Sequence, residues 1–285
     1  MIDTVTVVFR EEIPFLRVQA RSLDLYTRDI DVGKVIVVVN DESDVVQMID
    51  PAWWGRLASR VEIIPAQRWC DQIYHNGWVS QQALKILAAD AGISQWSMIL
   101  DAKTFLMKNI DPGRLIHGDR VCMGHNVIAP VFSESLRLVN QLFNINMTQL
   151  AGPAGVPHFF NRKLVSSLID YMGRDKFYQW FLDQGMITEF VLYSGWVHHQ
   201  LGHINLLYSE KTNYQVTNIC HSQVNQIGFL LKLAQREHNL TIGMHRNAWK
   251  AASNKHKLDY LQILESVDLI TTMESVLVEW DSVLT

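Results

Sequence analysis

Ser97-Met98-Ile99-Leu100-Asp101-Ala102-Lys103-Thr104-Phe105 is the stretch from which the rest of the chain can be ordered. Residues 96–100 read as a buried strand that ends on a carboxylate, with an ammonium group two residues further on. Upstream, residues 4–9 form a short β-branched run, 34–39 a continuous Val/Ile run, and 61–64 a third apolar run. Each is short enough for a fully buried strand. Between them, 13–26 and 77–91 carry apolar residues at helical spacing: Phe15, Leu16, Val18, Leu23 and Leu25 in the first, Val79, Ala83, Leu84, Ile86 and Leu87 in the second. Strands alternating with helices imply βα units and a mainly parallel sheet, whose ligands bind beyond the carboxyl ends of the strands. Arg10-Glu11-Glu12, Asn40-Asp41 and Asp101-Ala102-Lys103 all fall at such ends and are expected to face one crevice.

The 285 residues are 48% hydrophobic and 19% charged, enough for one large α/β domain. A net charge of -4 argues against a nucleic-acid-binding surface. Cys70, Cys122 and Cys220 lie far apart without a CxxC pair, which suits a reducing compartment and excludes a zinc knuckle. No apolar run reaches the ~20 residues of a membrane span, and no signal segment precedes the first strand, so a cytoplasmic location is expected. The nine tryptophans and eight tyrosines supply flat, polar-tipped side chains that sugar sites and ordinary cores both use. In the second half, 120–123 reads as a strand and 133–143, 162–172, 175–183 and 256–265 as helices. Gly152-Pro153-Ala154-Gly155-Val156-Pro157 is the clearest loop. With no repeat or linker, a single domain over 1–285 is expected. Residues 1–125 would form its nucleotide-binding part and 126–285 its acceptor side.

Several side chains combine into chemistry. Lys103 beside Asp101 can act as a point charge for phosphate. Asp41 can accept from ribose hydroxyls or a base N–H, or can simply cap a turn. Gln81 and Lys85 share a helix face; Lys85 can reach a phosphate, whereas Gln82 reads as a solvated position. Glu189 sits in the apolar run Ile187–Trp196, where an unpaired carboxylate would be costly; it is either paired or a desolvated general base. His198, His199 and His203 lack cysteine or carboxylate partners at ligand spacing and read as structural, so no metal site is expected. Gly243-Met244-His245-Arg246-Asn247-Ala248-Trp249-Lys250 reads as a basic loop able to close over a diphosphate, the guanidinium offering a fork, or as a basic surface turn. Where a dinucleotide-binding fold would show GxGxxG, Phe9-Arg10-Glu11-Glu12 stands instead, which argues against an oxidoreductase.

The order of elements, with ILDAKTF (99–105), GVPHFFNRKLV (155–165), TEFVLYSGWV (188–197) and GMHRNAW (243–249), resembles bacterial glycosyltransferase-like proteins with a GT-A fold, from about Thr4 to Trp249. The resemblance implies an α/β, Rossmann-type, mainly parallel sheet flanked by helices, with a more helical acceptor region. It implies transfer of a sugar from a nucleotide-sugar donor to a glycan or lipid-linked acceptor, often for surface polysaccharide. Asp101 matches the first residue of that family's Asp-x-Asp; Lys103 replaces the second, so a divalent metal and any other cofactor are not expected. The donor would be held by Asp41, Lys85, Asp101, Lys103, His245 and Arg246. Glu189 and Lys103 would be catalytic, with inversion following from Glu189 as base and retention open if it only orients the sugar. The acceptor would meet His158, Tyr193 and Trp196. No nucleic acid partner and no transmembrane segment are expected, while peripheral membrane association stays open. The alternative is a non-catalytic protein that holds a nucleotide or glycan on the same scaffold.

Overall fold

The computed structural model describes residues 1–70, 77–122, 126–151, 156–209 and 214–284. The expected strands form its centre: β1 (Ile2–Val8), β2 (Val32–Val39), β3 (Val61–Pro65) and β4 (Trp96–Asp101). They lie in the order β4-β1-β2-β3, all parallel. The strand His158–Asn161, which the sequence had not revealed, closes the β4 edge antiparallel. The chain runs from β1 outward to β3 and then returns to the other side of β1 as β4. The carboxyl ends of β1 and β4 therefore flank the point where the strand order reverses, the favoured ligand position of such a sheet. β1 is buried along its whole length and β2 almost so, which is why their sequences lack the alternation of a half-exposed strand.

Helices α1 (Ile13–Tyr26) and α2 (Gly77–Asp90) lie where helical spacing put them. The same holds for Ser133–Phe143, Arg162–Met172 and, within two residues, Asn254–Ser266. The expected helix over 175–183 is split into a 3-10 turn, Arg174–Lys176, and the helix Phe177–Gln184. Only Arg120–Val121 pairs as strand in the region expected at 120–123, against Ile116–His117; Met123 and the loop residues 152–155 lie outside the described residues. A second sheet orders Gln215–Ile219, Asn239–Met244 and β5 (Thr104–Leu106). The boundary expected near residue 125 is thus crossed twice: by β5 in the small sheet and by His158–Asn161 in the large one. The C-terminal helix Met273–Leu284 packs Trp280 against Phe15 and Trp249 over the small sheet. Among the described residues, no helix is long and apolar enough to cross a membrane.

At the opposite end of the sheet, buried Asp3 ties three segments together. Its Oδ1 accepts from the Lys34 N–H at 2.7 Å and the Ser94 hydroxyl at 2.8 Å. Its Oδ2 accepts from the N–H groups of Ile93 at 2.6 Å and Ser94 at 2.7 Å. Gly33 and Gly92 make room for it, since a Cβ at either would stand 2.2 or 2.4 Å from the carboxylate. Asp3→Ala would leave three N–H groups, that of Ser94 buried and those of Lys34 and Ile93 partly so, without their acceptor. We expect a loss of about 3–5 kcal/mol in urea unfolding; a loss under about 1 kcal/mol would show that Asp3 does not fasten β1 to β2 and the β4 approach.

Candidate active site

The turn Asp101-Ala102-Lys103-Thr104 hands the chain from the large sheet to the small one, and its geometry is set from two sides. From below, buried Gln19 of α1 accepts from the Thr6 hydroxyl and donates to the carbonyls of Asp101 at 2.6 Å and Thr104 at 3.1 Å. From above, Gly243 passes so close that a Cβ would meet the Lys103 carbonyl at 3.0 Å and Asn218 Oδ1 at 2.9 Å. Gln19 was not singled out from sequence, although a lone amide on the apolar stripe of α1 was the signal for it.

Five charged side chains of alternating sign follow from this turn. Lys85 Nζ lies 2.8 Å from Asp101 Oδ1 and 3.0 Å from Glu189 Oε1. Lys103 Nζ lies 3.2 Å from Asp101 Oδ2 and 3.7 Å from Glu12 Oε1. The chain Glu12–Lys103–Asp101–Lys85–Glu189 spans the ends of β1 and β4, α2, and the first turn of the helix Glu189–Leu201. Burial opposes the charge on all five. For Asp101 the two flanking ammonium groups win and hold its carboxyl well below the usual range. For Lys85 and Lys103 the carboxylates likewise outweigh burial and raise both above the ordinary lysine value. At the two ends burial wins, and Glu12 and Glu189 are pushed up.

The network floors a cavity of about 260 Å³ lined by Lys85, Asp101, Lys103, Glu189 and His245, with Trp78 at its edge. A larger cavity, about 470 Å³, lies between α1, Pro51–Arg60 and residues 269–279. None of the five charged groups lines it. Glu189 is therefore paired, as one of its two expected environments required, yet it faces the same cavity as Asp101 and Lys103. Its backbone N–H donates to Gln82 Oε1 at 3.3 Å. Gln82 is buried, against the expectation of a solvated face, because α2 packs that side onto the Thr188–Glu189 corner. Lys103 also departs from the open strand end expected for it: its side chain is 15% exposed and shared by two carboxylates. Lys85, at 4%, is occupied by its two partners and does not project as a free phosphate ligand.

Other expected site residues fall elsewhere. Asp41 accepts from the N–H groups of Arg10 and Glu42, both at 2.8 Å, and does not line the cavity; its turn-capping alternative is the one seen. The basic loop expected at 243–250 is instead a strand end joined to the short helix Arg246–Ala251. Arg246 is exposed there, with its charge felt at Glu12. His245 lines the cavity. The three acceptor-side residues need the plainest correction. His158 is fully buried with its ring 4.6 Å from that of Phe190. Tyr193 is buried, accepting from the Asn161 N–H at 2.8 Å, and Trp196 is buried, donating to Ser167 Oγ at 2.9 Å. All three are core residues, closed to a sugar.

Residues 6–230 match the Family of unknown function (DUF6492), and the chain belongs to that family. No protein of curated function matches it by sequence. Among solved structures, the galactosyltransferase LgtC in complex with donor and acceptor sugar analogs is similar with a TM-score of 0.53 and 14% identity, over 95% of this chain and 97% of that one. An active-site mutant of LgtC matches at 0.51 and 12% identity, over 93% and 96%. At such identities the likeness is one of fold, and the GT-A-type α/β fold expected from the sequence is the one observed.

His245 gives a direct check on the site's electrostatics. Its Nδ1 accepts from the Asn247 N–H at 3.2 Å. Burial first, and then Lys103, lower its pKa to about 4. We expect an imidazole that stays neutral, protonated on Nε2, from pH 8 down to about pH 5. Its contribution to stability is present above the unfolded value of ~6.5 and is lost as pH falls towards 4. Nitrogen-detected NMR of the wild type against His245→Asn reads this out; titration near pH 6.5 would show that the ring is solvated and unconstrained.

Proposed function

We propose that this member of the family is a nucleotide-sugar-dependent glycosyltransferase that works without a divalent metal. The observation that carries the reading is the cavity at the reversal point of the sheet, floored by Asp101 with an ammonium group on each oxygen. A diphosphate leaving group has its cation in Lys103, with exposed Arg246 next in sequence to cavity-lining His245 and the Nε2–H of neutral His245 as a further donor. Groups aimed at charge that develops in the transition state usually supply the largest catalytic share. A metal on Asp101 would have to displace Lys85 or Lys103, and this supports metal independence. On this reading Glu189 is the base. Its Oε1 is held by Lys85, while its Oε2 has no hydrogen-bond partner among the described residues. The acceptor oxygen bonds to the anomeric carbon as the bond from that carbon to the diphosphate oxygen breaks. The acceptor proton passes to Glu189 Oε2 and the diphosphate leaves with the bonding pair. Attack opposite the leaving group inverts the anomeric configuration. A role in bacterial surface polysaccharide synthesis remains part of the proposal on the resemblance, and a cytoplasmic site of action on the three free cysteines.

A second reading draws on the same network: its charges are already paired among themselves, as in a scaffold that binds a nucleotide or glycan without turnover. Release of nucleoside diphosphate from a panel of nucleotide sugars separates the two, since an active transferase leaks slowly to water. We expect release, and we expect EDTA to change donor affinity by less than about threefold, under ~0.7 kcal/mol. Binding that collapses in EDTA and returns with Mn²⁺ would overturn metal independence.

Glu189→Gln keeps the volume but cannot take the proton. Transfer should fall by about 10²–10⁴-fold, while melting temperature is recorded because Lys85 loses one charged partner. Because burial raises the Glu189 pKa, the wild-type rate should rise with pH through a limb above the ordinary glutamate value of ~4.3. A variant with wild-type transfer, or a product with retained configuration, would remove Glu189 as base.

A further inference from the structure

With His158, Tyr193 and Trp196 buried in the core, the acceptor side of the cavity needs other residues, and α2 provides them. Trp78, Gln81, Gln82 and Lys85 fall at i, i+3, i+4 and i+7, so they form one stripe along the helix, and all four line the cavity. The stripe runs about 10 Å from the mouth to the charged floor. Its outer end is unusual: of the nine tryptophans, Trp78 alone is exposed, at 49%. An indole face with amides one turn further in suits a pyranose, whose C–H face stacks on the ring while its hydroxyls meet the amides.

An independent observation lies at the inner end. Thr188 is 3% exposed and Glu189 1%, yet Thr188 Oγ1 and Glu189 Oε2 have no hydrogen-bond partner among the described residues. Both residues line the same cavity. Buried polar atoms are rarely left so, and each such atom calls for an explanation. A ligand bearing hydroxyl groups would satisfy both. Charge narrows the class further: at this inner end the Glu189 carboxylate lines the cavity while Lys85 is already held between Asp101 and Glu189, so an acidic sugar would be repelled where a neutral one is not.

We propose that the acceptor is the end of a neutral glycan, its terminal pyranose stacked on Trp78 and its reactive hydroxyl directed between Thr188 Oγ1 and Glu189 Oε2. This rests on the transferase reading above, but the binding it asserts can be measured without turnover. Saturation-transfer NMR of the whole chain would use methyl glucoside, methyl galactoside, lactose and maltose as neutral probes. Methyl glucuronide, farnesyl phosphate and a Ser/Thr peptide serve as the competing classes. We expect ring protons of at least one neutral saccharide to be saturated, with affinity falling about tenfold in Trp78→Ala and largely recovered in Trp78→Phe. Where transfer is measurable, the same variants should raise the acceptor KM more than they lower kcat. The exposed position of Trp78 makes a folding defect easy to detect by melting temperature. The proposal is overturned if no neutral saccharide binds, if binding is unchanged in Trp78→Ala, or if only the glucuronide, the lipid phosphate or the peptide binds. A wild-type protein that releases no nucleotide from any donor, yet binds saccharide through Trp78, would refute the transferase reading and leave the platform standing.

Discussion

Placing Asp101 between two ammonium groups at the end of a buried strand is the constraint on which the site depends. Removing five charges from water is costly, and a buried ionic chain holds only when complete. Deleting Lys103 would leave Asp101 with one ammonium partner and would remove the ion pair of Glu12. The lysine is therefore structural as well as electrostatic, which an open strand end would not have required. The neutral neighbours make the chain possible. Gln19 fixes both carbonyls of the turn, Gln82 holds the first N–H of the helix that carries Glu189, and Gly243 lets the small sheet close over Lys103. None of them carries charge, and without them the charges would lack defined positions.

The sequence made the large sheet legible because its strands are buried on both faces and its helices keep a clean apolar stripe. Val/Ile runs such as 34–39 can hardly be anything else, and α1 was read to the residue. The same logic failed for His158–Asn161. That strand is only four residues long and is followed at once by a helix, so its pairing with β4 depends on a tertiary edge that no local pattern announces. The small sheet was missed for a related reason: β5 is three residues long, and its partners lie more than a hundred positions away in the chain.

The site divided along a different line. Asp101, Lys103, Lys85 and Glu189 were recognisable because a charge in an apolar run must be paired or used, and here the pairs are with one another. His158, Tyr193 and Trp196 were misread because a polar-tipped aromatic in an apolar helix or strand looks the same whether its tip meets a ligand or a neighbouring side chain. Their partners, Phe190, Asn161 and Ser167, come from across the fold. Trp78 was readable in principle, since the stripe Trp78, Gln81, Gln82, Lys85 is a pattern within one helix. The segment was instead read for its apolar face, and the polar one was taken piecemeal.

The network also limits what can sit above it. Two carboxylates and two ammonium groups of the chain line the cavity, Glu12 lies outside that lining, and burial raises the pKa of both end carboxylates. On the proposed reading a diphosphate sits near Lys103, next to His245, an uncharged hydrogen-bond donor. The Glu189 end, where Oε2 has no partner among the described residues and Lys85 is already held by two carboxylates, is on the same reading the place for a neutral hydroxyl. On that reading one ionic chain separates a leaving group from a nucleophile along its length, with alternating charges in the place a metal would otherwise take.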